Sequence, residues 1–327
     1  MKKMKNYNLG IMFRREHAPE DLPGFARRAE EAGFDELWVV EDCFYGSGIA
    51  SAATALACTD TITVGVGIMP AVVRNPVFAA MEIATLSRLY PGRFLPGLGH
   101  GMANWMHQIG AFPKSQLKAL GEVTVTIREM LAGKRLTYDG TQIHLDQVEL
   151  VYPPDEIHPI SLGVRGPKSL ALSGQVADGT ILAEYSAPAY VSWAREQIER
   201  GKLEAGNEDE HRLTVFALTC AGATTAKARQ QLRPLIASAI ANDKIESQLA
   251  PMGILPQVRE LKNNRDSEGL KAAIPDAWID QLAITGTPED WELAINRLVE
   301  AGANTVVLVP LPDKCLEELY IFARHIL

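Results

Sequence analysis

The sequence predicts an α/β fold, a (β/α)8 TIM barrel with insertions, and three observations predict it. Short β-branched or apolar runs alternate with longer segments of helical period, as in repeated βα units. Eight such β segments follow one another, nearly all with a helix behind them. No strong dinucleotide fingerprint marks the chain, so of the two right-handed parallel solutions the closed barrel is favoured over the open doubly wound sheet. With 327 residues, 47% hydrophobic and 22% charged, the chain is long enough for a sizeable core, and barrels of this length are commonly one domain. One domain over residues 1–327 is therefore expected, with an insertion at about 224–284.

Tyr7–Phe13 reads as the first strand. Pro19–Ala32 is the first helix, with Pro19 and the acidic pair Glu20-Asp21 in its first turn and Gly33 just past its end. Leu37–Val40 is continuously apolar, as buried parallel strands are. Ile49–Cys58 is helical, Ile62–Ile68 a strand, and Pro76–Leu89 a helix opened by proline. Arg93–Leu98 and Gln116–Leu131 form the fourth unit. The alternation then breaks: Asp139-Gly140 signals a turn between Arg135–Tyr138 and Thr141–Leu145, a small hairpin. It resumes with strand Pro159–Val164, helix Pro167–Val176, strand Thr180–Ala183, helix Pro188–Ala205 and strand Leu213–Cys220. The long stretch from Thr224 to Ile284 carries helical segments and little strand, before Asn304–Val309 and the helix Pro312–Ile326 close the series.

Composition excludes several functions. A formal charge of −8 favours neither nucleic acid nor an anionic membrane as partner. Cys43, Cys58, Cys220 and Cys315 are scattered and form no CxxC pair, which suits reduced thiols rather than a disulfide frame or a zinc site. Met1-Lys2-Lys3-Met4-Lys5 looks like the basic part of a signal peptide, but the apolar stretch Leu9–Phe13 is short and Arg14-Arg15-Glu16 ends it. No apolar run reaches the roughly 18 residues that span a bilayer. A cytoplasmic protein acting on a small molecule is expected.

In such barrels chemistry sits on the loops after the strands. After the second strand come Glu41 and Asp42, which either bind a polar cofactor edge and handle a proton or merely lie in a solvated loop. The third strand carries Gly65 and Gly67 before Ile68; glycine there means a bulge, close approach to a ligand, or tight helix packing. The fourth runs through Gly97-Leu98-Gly99-His100-Gly101, a poor dinucleotide motif but a loop where backbone can pass a planar ligand. His100 is a candidate proton donor or simply a hydrogen-bonded histidine, and Trp105, Met106 and His107 either line the same mouth or pack in the core. The sharpest segment is Gly163-Val164-Arg165-Gly166-Pro167-Lys168, where free helix N–H groups and two cations suit a phosphate. Asp178-Gly179 precedes the sixth strand, on the opposite rim, which speaks for stability. GxSxG, HExxH, Walker and EF-hand patterns are absent and the histidines lack ligand spacing, so no metal is expected.

Taken in order, several blocks resemble the bacterial luciferase-like family, whose members use FMN or coenzyme F420. They are Glu31–Asp35 through Trp38–Asp42, Thr61–Ile68 with Arg74-Asn75-Pro76, Gly92-Arg93-Phe94 to Gly99, Gly163–Lys168 with Ala177-Asp178-Gly179, and Gly286-Thr287-Pro288-Glu289 followed by Ala301-Gly302-Ala303. The fifth-strand loop is most similar to the methylenetetrahydromethanopterin reductase branch. The resemblance implies hydride transfer between F420 and a small organic substrate, with an FMN-dependent monooxygenase or a catalytically silent flavin-binding barrel as alternatives. It also implies a non-prolyl cis peptide at Gly67–Ile68 behind the cofactor ring, a phosphate site at Gly163–Lys168, and a homodimer through helices near the second and third units. Many relatives carry histidine after the second-strand acid; here Cys43 follows Asp42, so Asp42 or Glu41 is to be considered for proton transfer in its place, beside His100 as the separate candidate.

Overall fold

A computed structural model describes residues 5–156, 158–311 and 316–326. Eight parallel strands close into a barrel: β1 (Asn8–Met12), β2 (Glu36–Val39), β3 (Thr63–Pro70), β4 (Phe94–Gly99), β5 (Ser161–Gly163), β6 (Gly179–Leu182), β7 (Arg212–Ala221) and β8 (Thr305–Pro310). Each pairs with the next, and β8 pairs with β1 from Asn8↔Thr305 to Ile11↔Leu308, which closes the ring.

The helices begin and end where local chemistry dictates. After a 3-10 turn over Pro19–Asp21, α1 (Leu22–Ala32) stops at Gly33, which takes a left-handed φ of 92° that a side chain would resist. Helix α2 (Gly48–Ala57) is capped by Ser47, and α3 (Pro76–Leu89) by Asn75, whose side chain accepts from the Val77 amide at 2.9 Å. A short α4 (Ala103–Gln108), which the sequence did not announce, precedes α5 (Gln116–Leu131). Helices α6 (Pro167–Val176) and α7 (Pro188–Ala205) both open on proline. The 224–284 stretch holds α8 (Thr225–Ala241), α9 (Glu246–Leu249), α10 (Leu255–Asn263), α11 (Ser267–Ala273) and α12 (Asp276–Leu282). A three-residue strand, Ile284–Gly286, then pairs in parallel with Thr219–Ala221 of β7. Finally α13 (Pro288–Glu300) starts on a Thr287/Asp290 capping box, and α14 is described over Leu316–Ile326. The expected first turn of that last helix, with Cys315, lies outside the described residues, as do Met1 to Met4.

The hairpin is displaced from its expected limits. Its strands are Leu136–Asp139 and His144–Val148, because the amides of Thr141, Gln142 and Ile143 all turn onto the Glu122 carboxylate (2.8–3.3 Å). Those residues form a loop around an acid on α5 and are lost to the second strand.

Two apolar layers hold the barrel. Outside, strand and helix side chains such as Leu37, Ile83, Ile127 and Ile198 form one cluster. Inside, Met12, Trp38, Leu95, Phe216 and Val307 belong to a second, with Trp38 and Phe216 edge to face at 5.3 Å. Space for those two rings explains the glycines of β3: a Cβ at Gly65 would lie 2.5 Å from Trp38, and one at Gly67 would lie 2.5 Å from Phe216. Deeper in, Glu36 is 1% exposed but well supplied. It accepts from Trp38 Nε1 at 2.8 Å and Asn8 Nδ2 at 2.9 Å, and pairs with Arg212. On the N-terminal rim Asp178 accepts the Ile160 amide at 2.9 Å and pairs with Arg128, a structural arrangement.

Candidate functional site

The strand ends of β1 to β6 converge on one mouth, and its floor is built at the end of β3. The pairing of β3 with β4 shifts register between Val66 and Met69, and the Gly67–Ile68 peptide is cis. Both residues are partly exposed. The Ile68 side chain lies across β4 and β5: a Cβ would come within 3.4 Å of it at Gly97, 2.8 Å at Gly99 and 2.4 Å at Gly163. Gly99 and Gly163 therefore make room for the isoleucine, while Gly97 is required by the Val66 carbonyl and Ile181, 2.4 and 2.7 Å from where its Cβ would be. The result is an apolar shelf of Ile68 and bare backbone, suited to the face of a planar ring.

Beside the shelf, β5 turns into α6. Gly166 is the N-cap, in extended backbone, and no side chain caps the helix. A Cβ at Gly166 would meet nothing within 4 Å, so the corner is open. Pro167 occupies the first helical turn, and Lys168 is exposed and makes no ion pair among the described residues. Arg165 reaches sideways, donating to the Lys244 carbonyl at 2.9 Å, while the buried Tyr190 hydroxyl donates to the Arg165 carbonyl at 2.8 Å and braces the loop. Val164 turns its side chain into the barrel–helix layer and is 6% exposed, so only its backbone faces the corner. Uncapped amides, a helix dipole and a free lysine make this an anion-binding arrangement.

His100, at the end of β4, joins shelf to corner: its Nε2 lies 3.1 Å from Ser169 Oγ in the first turn of α6. Burial holds its pKa below the usual histidine value, partly offset by the Gln116 backbone at the start of α5. It is a neutral imidazole at pH 7, able to donate or accept.

The two second-strand acids differ. Glu41 is bound on both oxygens: Arg74 Nη1 and Nη2 donate at 2.8 and 2.9 Å, and the Gly48 amide at 3.0 Å. Asp42 meets Arg15 Nη1 at 2.7 Å and keeps about a third of its side chain exposed. Arg15 in turn lies over the rings of Tyr45 (5.1 Å) and Trp105 (5.6 Å), tying together loops from three strand ends. Of the α4 residues, Met106 is buried, while His107 stacks on Phe112 at 4.0 Å away from the mouth contacts just described. Burial, with Asp42 and Glu41 nearby, pushes the Cys43 thiol up, so it stays protonated.

Sequence reasoning missed several residues here. Arg14 and Arg15 were visible only as the end of an apolar run. Arg74 stood in a family-like block with no role attached. Tyr185, past the end of β6, has φ 69°, unusual for an aromatic residue, and burial and Glu184 push its phenol to about 12 against the pull of Arg14. No sequence signal announces a tyrosine in left-handed backbone. Among the described residues no group of three or more His, Cys, Asp or Glu side chains could hold a metal ion. No helix among them is long and apolar enough to cross a membrane.

The chain and its fold resemble known proteins. A family model described as luciferase-like monooxygenase matches residues 8–305. The chain is 31% identical over 307 residues to the 5,10-methylenetetrahydromethanopterin reductase of Archaeoglobus fulgidus, covering 91% of this chain and 92% of that protein. It is 30% identical over 201 residues to an F420-dependent glucose-6-phosphate dehydrogenase of Nakamurella multipartita, covering 58% and 59%. The structure of the coenzyme F420 dependent tetrahydromethanopterin reductase from Methanopyrus kandleri superposes with a TM-score of 0.80 at 23% identity, covering 97% of this chain and 96% of that one.

Proposed function

Because the chain belongs to the luciferase-like monooxygenase family, we propose that it is an oxidoreductase that transfers hydride between coenzyme F420 and a small organic substrate. The observation that carries the reading is the open, uncapped start of α6 standing beside the Ile68 shelf. One suits a phosphate and the other a flat heterocycle, and His100 links them. The residues fit the cofactor. The amides near Gly166 and Lys168, with the Lys168 ammonium, would hold the phosphate; Gly67, Ile68, Gly99, Gly163 and the Val164 backbone would back the ring. Arg165 and Pro167 shape the turn. The F420-dependent dehydrogenase and the reductase relatives support the deazaflavin. The family's monooxygenase description supports FMN and oxygen as the second reading.

Bound F420 supplies the hydride-carrying ring position. The chain supplies orientation, exclusion of water and control of protons. Asp42, reachable from solvent on one side and held by Arg15 on the other, is the candidate to hold or pass a proton at its carboxylate, with the neutral His100 ring as the other. Glu41, occupied by Arg74 and Gly48, acts as a brace between the second and third loops rather than as an acid or base. A homodimer through the second and third units is supported by Phe78 and Met81, which leave 63% and 48% of their surface exposed on α3. Scattered reduced cysteines suit a cytoplasmic setting.

Anaerobic titration with F420 and FMN, followed by oxygen-consumption assays with the reduced forms, tests the reading. F420 should bind, and its reduced form should not drive oxygen uptake. Lys168→Ala should weaken F420 binding about tenfold, the loss of one charge-assisted contact at a partly solvated phosphate. Unchanged affinity refutes the phosphate assignment, and failure of both cofactors to bind refutes the function.

A further inference from the structure

We infer that Tyr185 is a further cofactor-binding residue, its phenol standing at the β6 edge of the Ile68 shelf and its hydroxyl donating to a carbonyl oxygen on the rim of the bound ring. The inference rests on the cofactor reading above and deepens it, because that reading gives the ring a floor and a phosphate anchor but assigns no donor to its carbonyls. Deazaflavin and flavin rings both carry such carbonyl oxygens, so the inference holds for either cofactor.

Three features support it. The first is position. Ile68 leans from β3 toward β6: a Cβ at Gly97 would lie 3.4 Å from Ile68 and 2.7 Å from Ile181 of β6, so both isoleucines crowd that glycine. Four positions after Ile181, where the chain leaves β6, Tyr185 packs on the same interior apolar cluster as Ile68 and Val40, and all three side chains stay partly open. The phenol thus borders the shelf rather than the outer helical layer.

The second feature is the backbone. A φ of 69° lies in the left-handed region, which costs any residue with a side chain. Two contacts hold it there. Ser186 Oγ donates to the Ala183 carbonyl at 2.6 Å, and Nε2 of the buried Gln248, on α9, donates to the Glu184 carbonyl at 3.4 Å. Strained residues fixed in this way persist only where the surroundings over-determine them, and they gather at ligand sites.

The third is the hydroxyl itself. Tyr190, on the following helix, places its hydroxyl on the Arg165 carbonyl at 2.8 Å. The Tyr185 hydroxyl has no hydrogen-bond partner among the described residues and is not sealed from solvent. Burial and Glu184 push its pKa to about 12, so at neutral pH it keeps its proton and can donate it to an acceptor.

Tyr185→Phe tests the inference, because it keeps the ring packing and removes only the donor. The full-length protein and the variant are titrated with F420 and with FMN, following absorbance. Whichever cofactor the unmodified protein binds should bind the variant about fivefold more weakly, the loss of one neutral hydrogen bond. The absorption band of the bound ring should also move between the two proteins, since a hydrogen bond at a ring carbonyl perturbs the ring's electrons. A purely structural role for the hydroxyl would leave that band in place. Lys168→Ala, acting at the phosphate, should weaken binding without moving the band. Equal affinity of the variant and the unmodified protein overturns the inference. So does a loss of affinity with the band unmoved, which puts the hydroxyl off the ring, or an equal band shift in Lys168→Ala. If the unmodified protein binds neither cofactor, the cofactor reading itself falls, so the two failures are distinct.

Discussion

His211 ties the lower rim of the barrel to pH. Its Nε2 lies 2.8 Å from Thr180 Oγ1, which in turn lies 2.7 Å from Ser173 Oγ, so one buried chain of hydrogen bonds joins β6, α6 and the start of β7. Burial, with Arg195 and Lys202 close by, lowers the His211 pKa to about 4. In the unfolded chain the value returns to about 6.5. Between those two values the unfolded state binds a proton that the folded state does not, so stability is fully present above pH 6.5 and is lost as pH falls toward 4. At 1.36 kcal/mol per unit the full loss is about 3 kcal/mol, and about 2 kcal/mol of it has occurred by pH 5. The perturbation is His211→Gln, which keeps a hydrogen-bonding group near Nε2 and cannot titrate. Urea unfolding at pH 7.5 and pH 5.0 should show the unmodified protein losing about 2 kcal/mol more than the variant over that interval. His100 and His158 also have lowered values, but they contribute equally to both proteins and cancel in the comparison. Equal losses for the two proteins would refute the reasoning.

Three further outcomes follow from contacts near the mouth. Gly163→Ala places a methyl 2.4 Å from Ile68 and should cost about 1–3 kcal/mol by overpacking in urea unfolding, with Ile68→Ala in the same chain recovering much of it. If the double variant is no better than the single, the shelf is not built as described. Glu41→Gln removes the bidentate carboxylate from Arg74, leaving it only Glu82 at 3.3 Å, and should destabilise by about 1–2 kcal/mol, measured as a lower denaturation midpoint. At pH 7.5 Cys43 should react with iodoacetamide more slowly than free cysteine, since burial and two neighbouring carboxylates oppose the thiolate; reaction at the free rate would contradict that environment.

Much of the fold could be read from local rules. The limits of α3, α5, α6 and α7 match expectation residue for residue because proline at the first turn, or a Ser or Asn cap before it, marks where each begins. The eight strands were visible as apolar runs for the same kind of reason: both faces are covered. What local rules missed depends on distant partners. The hairpin shifted because Glu122, on another element, collects three of its amides. Helix α4 is short and held by tertiary contacts, with Met106 buried against Gly101. At the mouth, sequence could nominate Glu41 and Asp42 together but could not separate them, since the difference is an arginine 33 residues away on one and an arginine 27 residues away on the other. The glycines of β3 and β4 signalled close approach; that Trp38, Phe216 and Ile68 are among the approaching groups is set by which strands the closed barrel brings together.

Ile68 sets the level at which anything flat can rest in the mouth. A β-branched side chain has little rotational freedom, and here two neighbouring positions without side chains, Gly99 and Gly163, fix how low it can lie. The platform is thus a three-residue unit contributed by three strands, and its height changes only if those residues change in concert. Anyone altering the cofactor seat should treat Gly99, Gly163 and Ile68 as a single design variable.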